Sequence, residues 1–146
     1  MNLRRQMASR LRGFDTIVVW GAGGLARSAL TRWLPSEAVV GVVDPTMAKQ
    51  GTEFCGKTVQ APESLLEAEP DCIVICSTAY LEILDQMEAL GLSCPRFFVY
   101  ELFLSEDGKM SQLAMLQVDL LATKNDPLPL LLMRKPQVMV NIAYRL

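Results

Sequence analysis

Two glycines, one alanine and one aspartate are the residues whose types and spacing best suit a chemical role. Gly21 allows a tight turn off the preceding strand, and Gly23 leaves room for a phosphate to approach the backbone. Ala26 stands where the pattern G-x-G-x-x-G has its third glycine, and it is small enough for close helix packing. Asp44 follows Ala26 by 18 residues, where a carboxylate accepts hydrogen bonds from ribose hydroxyls. The pattern predicts a nucleotide-binding βαβ unit.

The elements that must position these residues are three apolar strands. The run Ile17 to Trp20 leads into the glycines, and Val39 to Val43 leads into the aspartate. A third buried run, Cys72 to Cys76, ends at Ser77 and Thr78. Because parallel strands end at the same edge of a sheet, these side chains are expected to face one ligand.

Eight residues therefore make up the predicted cofactor-binding set. They are Gly21, Ala22, Gly23, Gly24, Leu25, Asp44, Ser77 and Thr78. Two alternatives stay open. Asp44 can serve as a turn cap before Pro45, and the hydroxyls can satisfy the end of a strand, in a fold that keeps the turn and binds nothing.

Strands alternate with amphipathic helices from Thr16 to Tyr100, which predicts an α/β fold. We expect a Rossmann-like, doubly wound, mostly parallel sheet of five strands with a helical C-terminal extension. The last strand is predicted over Arg96 to Tyr100. Three segments follow from this interpretation: a basic N-terminal helix over residues 1–13, a nucleotide-binding domain over 14–104 and an apolar helical extension over 105–146.

Composition narrows the class of protein. The net charge of −2 gives no general reason to bind nucleic acid or an anionic membrane. No stretch reaches the roughly 18 apolar residues that a transmembrane helix needs. The four cysteines lack metal-ligand spacing and are expected to be reduced, mostly buried thiols. We therefore expect a cytoplasmic protein with no nucleic-acid partner, no transmembrane segment and no metal.

Catalytic residues are not predicted, and whether the chain is an enzyme stays open. The chain contains no histidine, which removes the commonest general base and the Ser–His nucleophile pair. No Gly-Lys-Ser/Thr follows the glycines, so a triphosphate P-loop is excluded. Trp20 stands where the glycine loop of a methyltransferase usually carries an acidic residue, so a methyltransferase is not favoured.

Apolar residues dominate the C-terminal part, over 111–124, 128–133 and 136–146. A lone domain seldom ends on so much apolar sequence. Residues 111–146 are expected to form a homo-oligomer contact or to pack on a partner domain, with folding back on the core as the alternative.

The chain resembles the small Rossmann-like domains of bacterial surface-polysaccharide proteins. These include the N-terminal domains of nucleotide-sugar epimerases and dehydratases, and of sialic-acid- and bacillosamine-type sugar acyltransferases. The similarity covers about residues 16–101. Its matching segments are Ile17–Gly24, Val40–Pro45, Gly51, Gly56–Val59, Pro62–Leu66 and Asp71–Ile75. No Tyr-x-x-x-Lys pair and no hexapeptide repeats follow, although Pro136 to Leu146 is similar to the helix before the repeat domain of serine-type acetyltransferases.

The resemblance implies a bound NAD or nucleotide-sugar and a role in polysaccharide or nucleotide-sugar metabolism. Three functions remain: a binding module, such as the substrate-binding part of a sugar acyltransferase; an NAD-dependent oxidoreductase; and a non-catalytic assembly partner. If a dinucleotide binds, Asp44 favours NAD over NADP, because a carboxylate repels a 2′-phosphate.

Overall fold

The structure is a computed structural model that describes residues 3–103. Its helices are α1 (Leu3–Arg10), α2 (Gly24–Ser28), α3 (Leu65–Ala68) and α4 (Tyr80–Leu90). Its strands are β1 (Ile17–Trp20), β2 (Val39–Val43), β3 (Glu53–Phe54), β4 (Lys57–Gln60), β5 (Cys72–Ile75) and β6 (Arg96–Phe98). A π-helical turn (Ala29–Trp33) continues α2, and 3-10 turns span Pro62–Ser64 and Val99–Phe103.

The strands form one sheet in the order β3-β4-β2-β1-β5-β6. All neighbouring pairs are parallel except β3 with β4. Every residue of β1 and β5 is buried. Because successive residues of a strand point to opposite faces, both faces of the central sheet are covered. The predicted doubly wound, mostly parallel α/β fold is confirmed.

The sheet has six strands, whereas the sequence predicts five. The extra strand is β3, which pairs antiparallel with β4 across the two residues Cys55 and Gly56. Both turn residues have positive φ, 50° and 81°, as a tight hairpin with the right-handed twist of its strands requires. Glycine favours that conformation, but cysteine seldom adopts it. The hairpin is therefore hard to recognise in the sequence.

The predicted last strand also ends earlier, at Phe98 rather than Tyr100. The chain turns into a 3-10 helix at Val99, where the Glu101 carboxylate accepts a hydrogen bond of 2.7 Å from the backbone N–H of Phe98. This bond joins the 3-10 turn to the last residue of β6 and stabilises the change of direction there.

The basic helix α1 packs on the folded domain. Met7 and Leu11 are buried in its hydrophobic core, and the Arg10 guanidinium lies 3.5 Å from the carbonyl oxygen of Glu101. No helix within residues 3–103 is long and apolar enough to cross a membrane. The predicted extension over 105–146, with its oligomer or partner contact, lies outside the described residues.

Candidate functional site

A cleft of about 260 Å³ opens where β1, β2 and β5 end. All eight residues predicted from the sequence line it, together with Lys49 and Cys76. A second cavity of about 290 Å³ adjoins the cleft and shares Gly21, Asp44, Lys49 and Ser77 with it. Ligands of open α/β sheets bind at this edge. The structure thus brings the predicted residues together, and their role in binding stays a proposal.

Gly21 is the glycine that the protein backbone itself requires. Its φ is +122°, and a Cβ built there would lie 2.5 Å from the carbonyl oxygen of Cys76. Its N–H donates a 2.8 Å hydrogen bond to the carbonyl of Val43. The turn after β1 is therefore pressed between the ends of β2 and β5, and a side chain would force it away.

Gly23 differs from Gly21, because a Cβ there would meet nothing within 4 Å. Its backbone is extended, and it precedes α2 without a side-chain cap. The Arg27 N–H makes a 3.0 Å bond to the Gly23 carbonyl, and the amides before it have no partner inside the helix. The space in front of Gly23 is therefore open to the cleft rather than filled by the protein.

Asp44 is 7% exposed and fixes the loop geometry. One carboxylate oxygen accepts a 2.9 Å hydrogen bond from the N–H of Ala22, and the other accepts one of 2.8 Å from the N–H of Thr46. The second bond is the turn cap that the sequence left as an alternative. The first joins Asp44 to the glycine loop. The Thr46 side chain also bonds this carboxylate. Since a carboxylate has about four acceptor positions, one remains for a ligand.

The charge of Asp44 is held by these partners. Burial by itself raises the pKa of the carboxyl, but the hydrogen bonds from Thr46 and Ala22 and the charge of Lys49 outweigh it. The net pKa of Asp44 lies below its usual value. The cleft therefore carries a fixed negative charge at neutral pH.

Lys49 lines the cleft and Gln50 supports it from behind Asp44, and the sequence pattern identifies neither residue. The Lys49 ammonium donates a 3.2 Å hydrogen bond to the Ala22 carbonyl and lies 3.9 Å from the Asp44 carboxylate. The Gln50 amide donates a 3.0 Å bond to the Asp44 carbonyl. The only sequence signal is that these residues precede Gly51, one of the glycines in the resemblance described above.

At the end of β5, Ser77 and Thr78 reach the cleft in different ways. The Ser77 hydroxyl accepts a 3.1 Å hydrogen bond from the Ala79 N–H, just before α4 begins. This is the local role that the sequence allowed as the alternative, and it leaves the Ser77 hydroxyl proton available as a donor. Thr78 is exposed at the rim.

The cysteine thiols do not supply a nucleophile at this site. All four are free, and Cys72 and Cys76 are buried while Cys55 and Cys94 are half-buried. Burial raises the pKa of Cys76, the one that lines the cleft, far above neutrality. Among the described residues, no group of acidic or cysteine side chains is arranged to hold a metal ion.

A larger groove of about 590 Å³ lies elsewhere, against the faces of β2 and β4 and beside α3. It runs past Val40, Thr58 and Glu67, and Val40 is 57% exposed there. The groove follows the faces of β2 and β4 along their length and does not include the glycine loop. The smaller cleft is the better candidate site because backbone turns and charged groups converge there.

Comparison with solved structures finds RSP, described as a Rex-family repressor. Its crystal structure is 14% identical with a TM-score of 0.44, covering 91% of this chain and 65% of that one. The structure of RSP in complex with β-NAD+ and operator DNA has 14% sequence identity and a TM-score of 0.43, and the match covers 92% of this chain and 64% of that one. The structure of RSP in complex with β-NADH has 14% identity and a TM-score of 0.44, and the match covers 92% of this chain and 68% of that one. The chain thus spans about two thirds of these proteins. No curated protein matches.

The prediction that nucleic acid is not a partner is contradicted by one of these neighbours, a repressor bound to operator DNA. That prediction depended on net charge, and net charge is a poor guide because basic residues can cluster locally. Helix α1 carries Arg4, Arg5 and Arg10 with no acidic residue. The exclusion is therefore withdrawn. These structures do not support the resemblance to surface-polysaccharide proteins.

A family model described as "C2185-like, N-terminal" matches residues 14–98, which include every strand of the sheet and every residue of the predicted binding set. The match spans more than half of the chain, and the protein therefore belongs to the C2185-like family through its N-terminal domain.

Proposed function

We propose that the chain binds a nucleotide in the cleft at the carboxyl ends of β1, β2 and β5, with NAD or NADH as the first candidate. The observation that carries the proposal is the convergence of the glycine loop, Asp44 and the Ser77–Thr78 turn on one cleft. The loop offers backbone amides and an open approach at Gly23, as a pyrophosphate needs. Asp44 offers acceptors for a ribose.

NAD is favoured over NADP because of the charge on Asp44. The carboxylate is ionised and held in place by two backbone N–H groups. It accepts hydrogen bonds from a free 2′-hydroxyl, whereas a 2′-phosphate brings a second anion toward it. Binding without chemistry is the simplest role, since the described cleft residues provide no thiolate and the chain has no imidazole.

Two further roles keep their place as alternatives. An oxidoreductase is compatible with the cleft because a nicotinamide cofactor carries the hydride itself and needs only orientation and a proton donor. A nucleotide-sugar ligand, with a role in polysaccharide metabolism, depends on the sequence resemblance alone.

Thermal unfolding with a ligand panel tests the proposal. The panel contains NAD+, NADH, NADP+, UDP- and CMP-sugars and S-adenosylmethionine. A ligand at about 100 times its Kd adds roughly 2.7 kcal/mol to stability, which is a shift of several degrees. A shift with NAD+ or NADH supports the proposal, and a shift with one nucleotide-sugar alone favours that alternative. No shift with any nucleotide overturns it.

A pair of glycine variants locates the binding. Gly23→Val should abolish the shift while leaving the fold intact, because its Cβ meets no protein atom. Gly41→Val is the control, since Gly41 lies on β2 away from the cleft and its Cβ meets Val18 at an ordinary 3.9 Å. Equal binding by both variants would remove the glycine loop from the site.

A further inference from the structure

Lys49 is the one cation among the described residues that line the cleft and its adjoining cavity. It lies in the connection between β2 and β3, on the same side of the cleft as Asp44. Its side chain is 44% exposed, so the ammonium is open to solvent and to a ligand. Asp44 and Glu82 are the acidic residues around the same two cavities.

The connection that carries Lys49 is held in place by hydrogen bonds. The Lys49 N–H donates to the Thr46 carbonyl at 3.0 Å, and the Gly51 N–H donates to the Val59 carbonyl at 2.8 Å. The Gln50 side chain ties the same turn to the Asp44 carbonyl at 3.0 Å. The backbone thus presents Lys49 at a fixed position over the glycine loop, without a helix in this connection.

The bonds at Ala22 show what the loop lacks. The Ala22 N–H is taken by Asp44 at 2.9 Å, so this amide cannot also serve a phosphate. The Ala22 carbonyl accepts from Lys49 at 3.2 Å. An ammonium has three donors, and the 3.9 Å separation from Asp44 is an ion pair rather than a hydrogen bond. Lys49 therefore keeps donor capacity beside the amide that is lost.

We propose that Lys49 contacts the 5′-diphosphate of the bound nucleotide and so makes the site select phosphorylated ligands over nucleosides. This inference rests on the proposed function. The ammonium supplies a charge-assisted hydrogen bond to a phosphate oxygen. It also offsets the negative charge of Asp44, which would otherwise repel the diphosphate.

Isothermal titration with adenosine, ADP and adenosine 2′-monophosphate tests the inference. The variant is Lys49→Met, which keeps the length of the side chain and removes its charge. Lys57→Met is the matched control, because Lys57 lies on β4 and lines the separate groove. We expect Lys49→Met to lower the affinity for ADP at least tenfold and the affinity for adenosine less than twofold. Lys49→Arg should keep most of the ADP affinity. Lys57→Met should change neither.

The outcomes separate the possible failures. Equal weakening of ADP and adenosine would mean that Lys49 only supports the Ala22 carbonyl, and an unchanged ADP affinity would mean that it makes no contact. Weakening of adenosine 2′-monophosphate without weakening of ADP would place the contact at the ribose and overturn the diphosphate assignment. Wild-type protein that binds none of the three but is stabilised by NAD+ or NADH would overturn the inference, whereas wild-type protein that is stabilised by no nucleotide would overturn the proposed function itself.

Discussion

Glu101 gives the fold a pH dependence that can be measured cleanly. Its side chain is buried beside α1, and burial raises the pKa of the carboxyl from 4.5 to about 7, against the opposing effects of the Phe98 N–H and the Arg10 charge. The chain has no histidine, the residue that normally titrates between pH 5 and 8. The pKa of Asp44 shifts downward and those of the buried cysteines shift upward, so Glu101 is the carboxyl that burial raises into this range.

The sign follows from the protons bound in each state. Between pH 4.5 and about 7 the folded protein holds a proton on Glu101 that the unfolded chain has released, so stability falls as pH rises. The difference in pKa corresponds to about 3 kcal/mol in full. Most of that loss, about 2 to 3 kcal/mol, falls between pH 5 and pH 8.

Glu101→Gln removes the titration and keeps an oxygen that can accept from the Phe98 N–H. In urea unfolding at pH 5, 6, 7 and 8, the free energy of unfolding of this variant should rise relative to that of wild type by about 2 to 3 kcal/mol from pH 5 to pH 8. Glu88→Gln, at an exposed position of α4, is the control and should keep a constant difference from wild type. A Glu101→Gln advantage that does not change with pH would refute the reasoning.

Three other predictions concern the cleft and the thiols. Gly21→Ala should destabilise the fold by about 3 kcal/mol or more in urea unfolding, since its Cβ would lie 2.5 Å from a backbone oxygen and its φ is positive. Gly24→Ala is the control and should change stability little, because a Cβ there meets open space. Similar losses of stability in both variants would contradict the steric account. Asp44→Ala should weaken nucleotide binding by about 1 to 3 kcal/mol in titration calorimetry, and unchanged affinity would remove Asp44 from the site. Iodoacetamide at pH 8 should label half-buried Cys55 before buried Cys76, as followed by mass spectrometry, and early labelling of Cys76 would show that the end of β5 opens.

The order of strands and helices could be predicted from the sequence because its signals are local. Apolar runs mark β1, β2 and β5, and a glycine turn after a strand marks the start of the cleft. The carboxyl ends of parallel strands share one edge, so the order of elements was enough to predict that Asp44 and the residues after β5 face the glycine loop. The β3–β4 hairpin was missed because its turn uses Cys55 in a conformation that cysteine seldom adopts.

The tertiary structure alone decided which distant residues contact each other, because no rule of sequence spacing connects them. Lys49 lies 27 positions from the Ala22 carbonyl that it contacts, and Arg10 lies 91 positions from Glu101. Neither the donor on Lys49 nor the raised pKa of Glu101 follows from periodicity, because both depend on which surfaces bury each other. The sequence by itself determined which residues meet in the cleft at the edge of the sheet. Folding determined which charges surround it, because burial and Coulomb interactions depend on distance in space rather than along the chain.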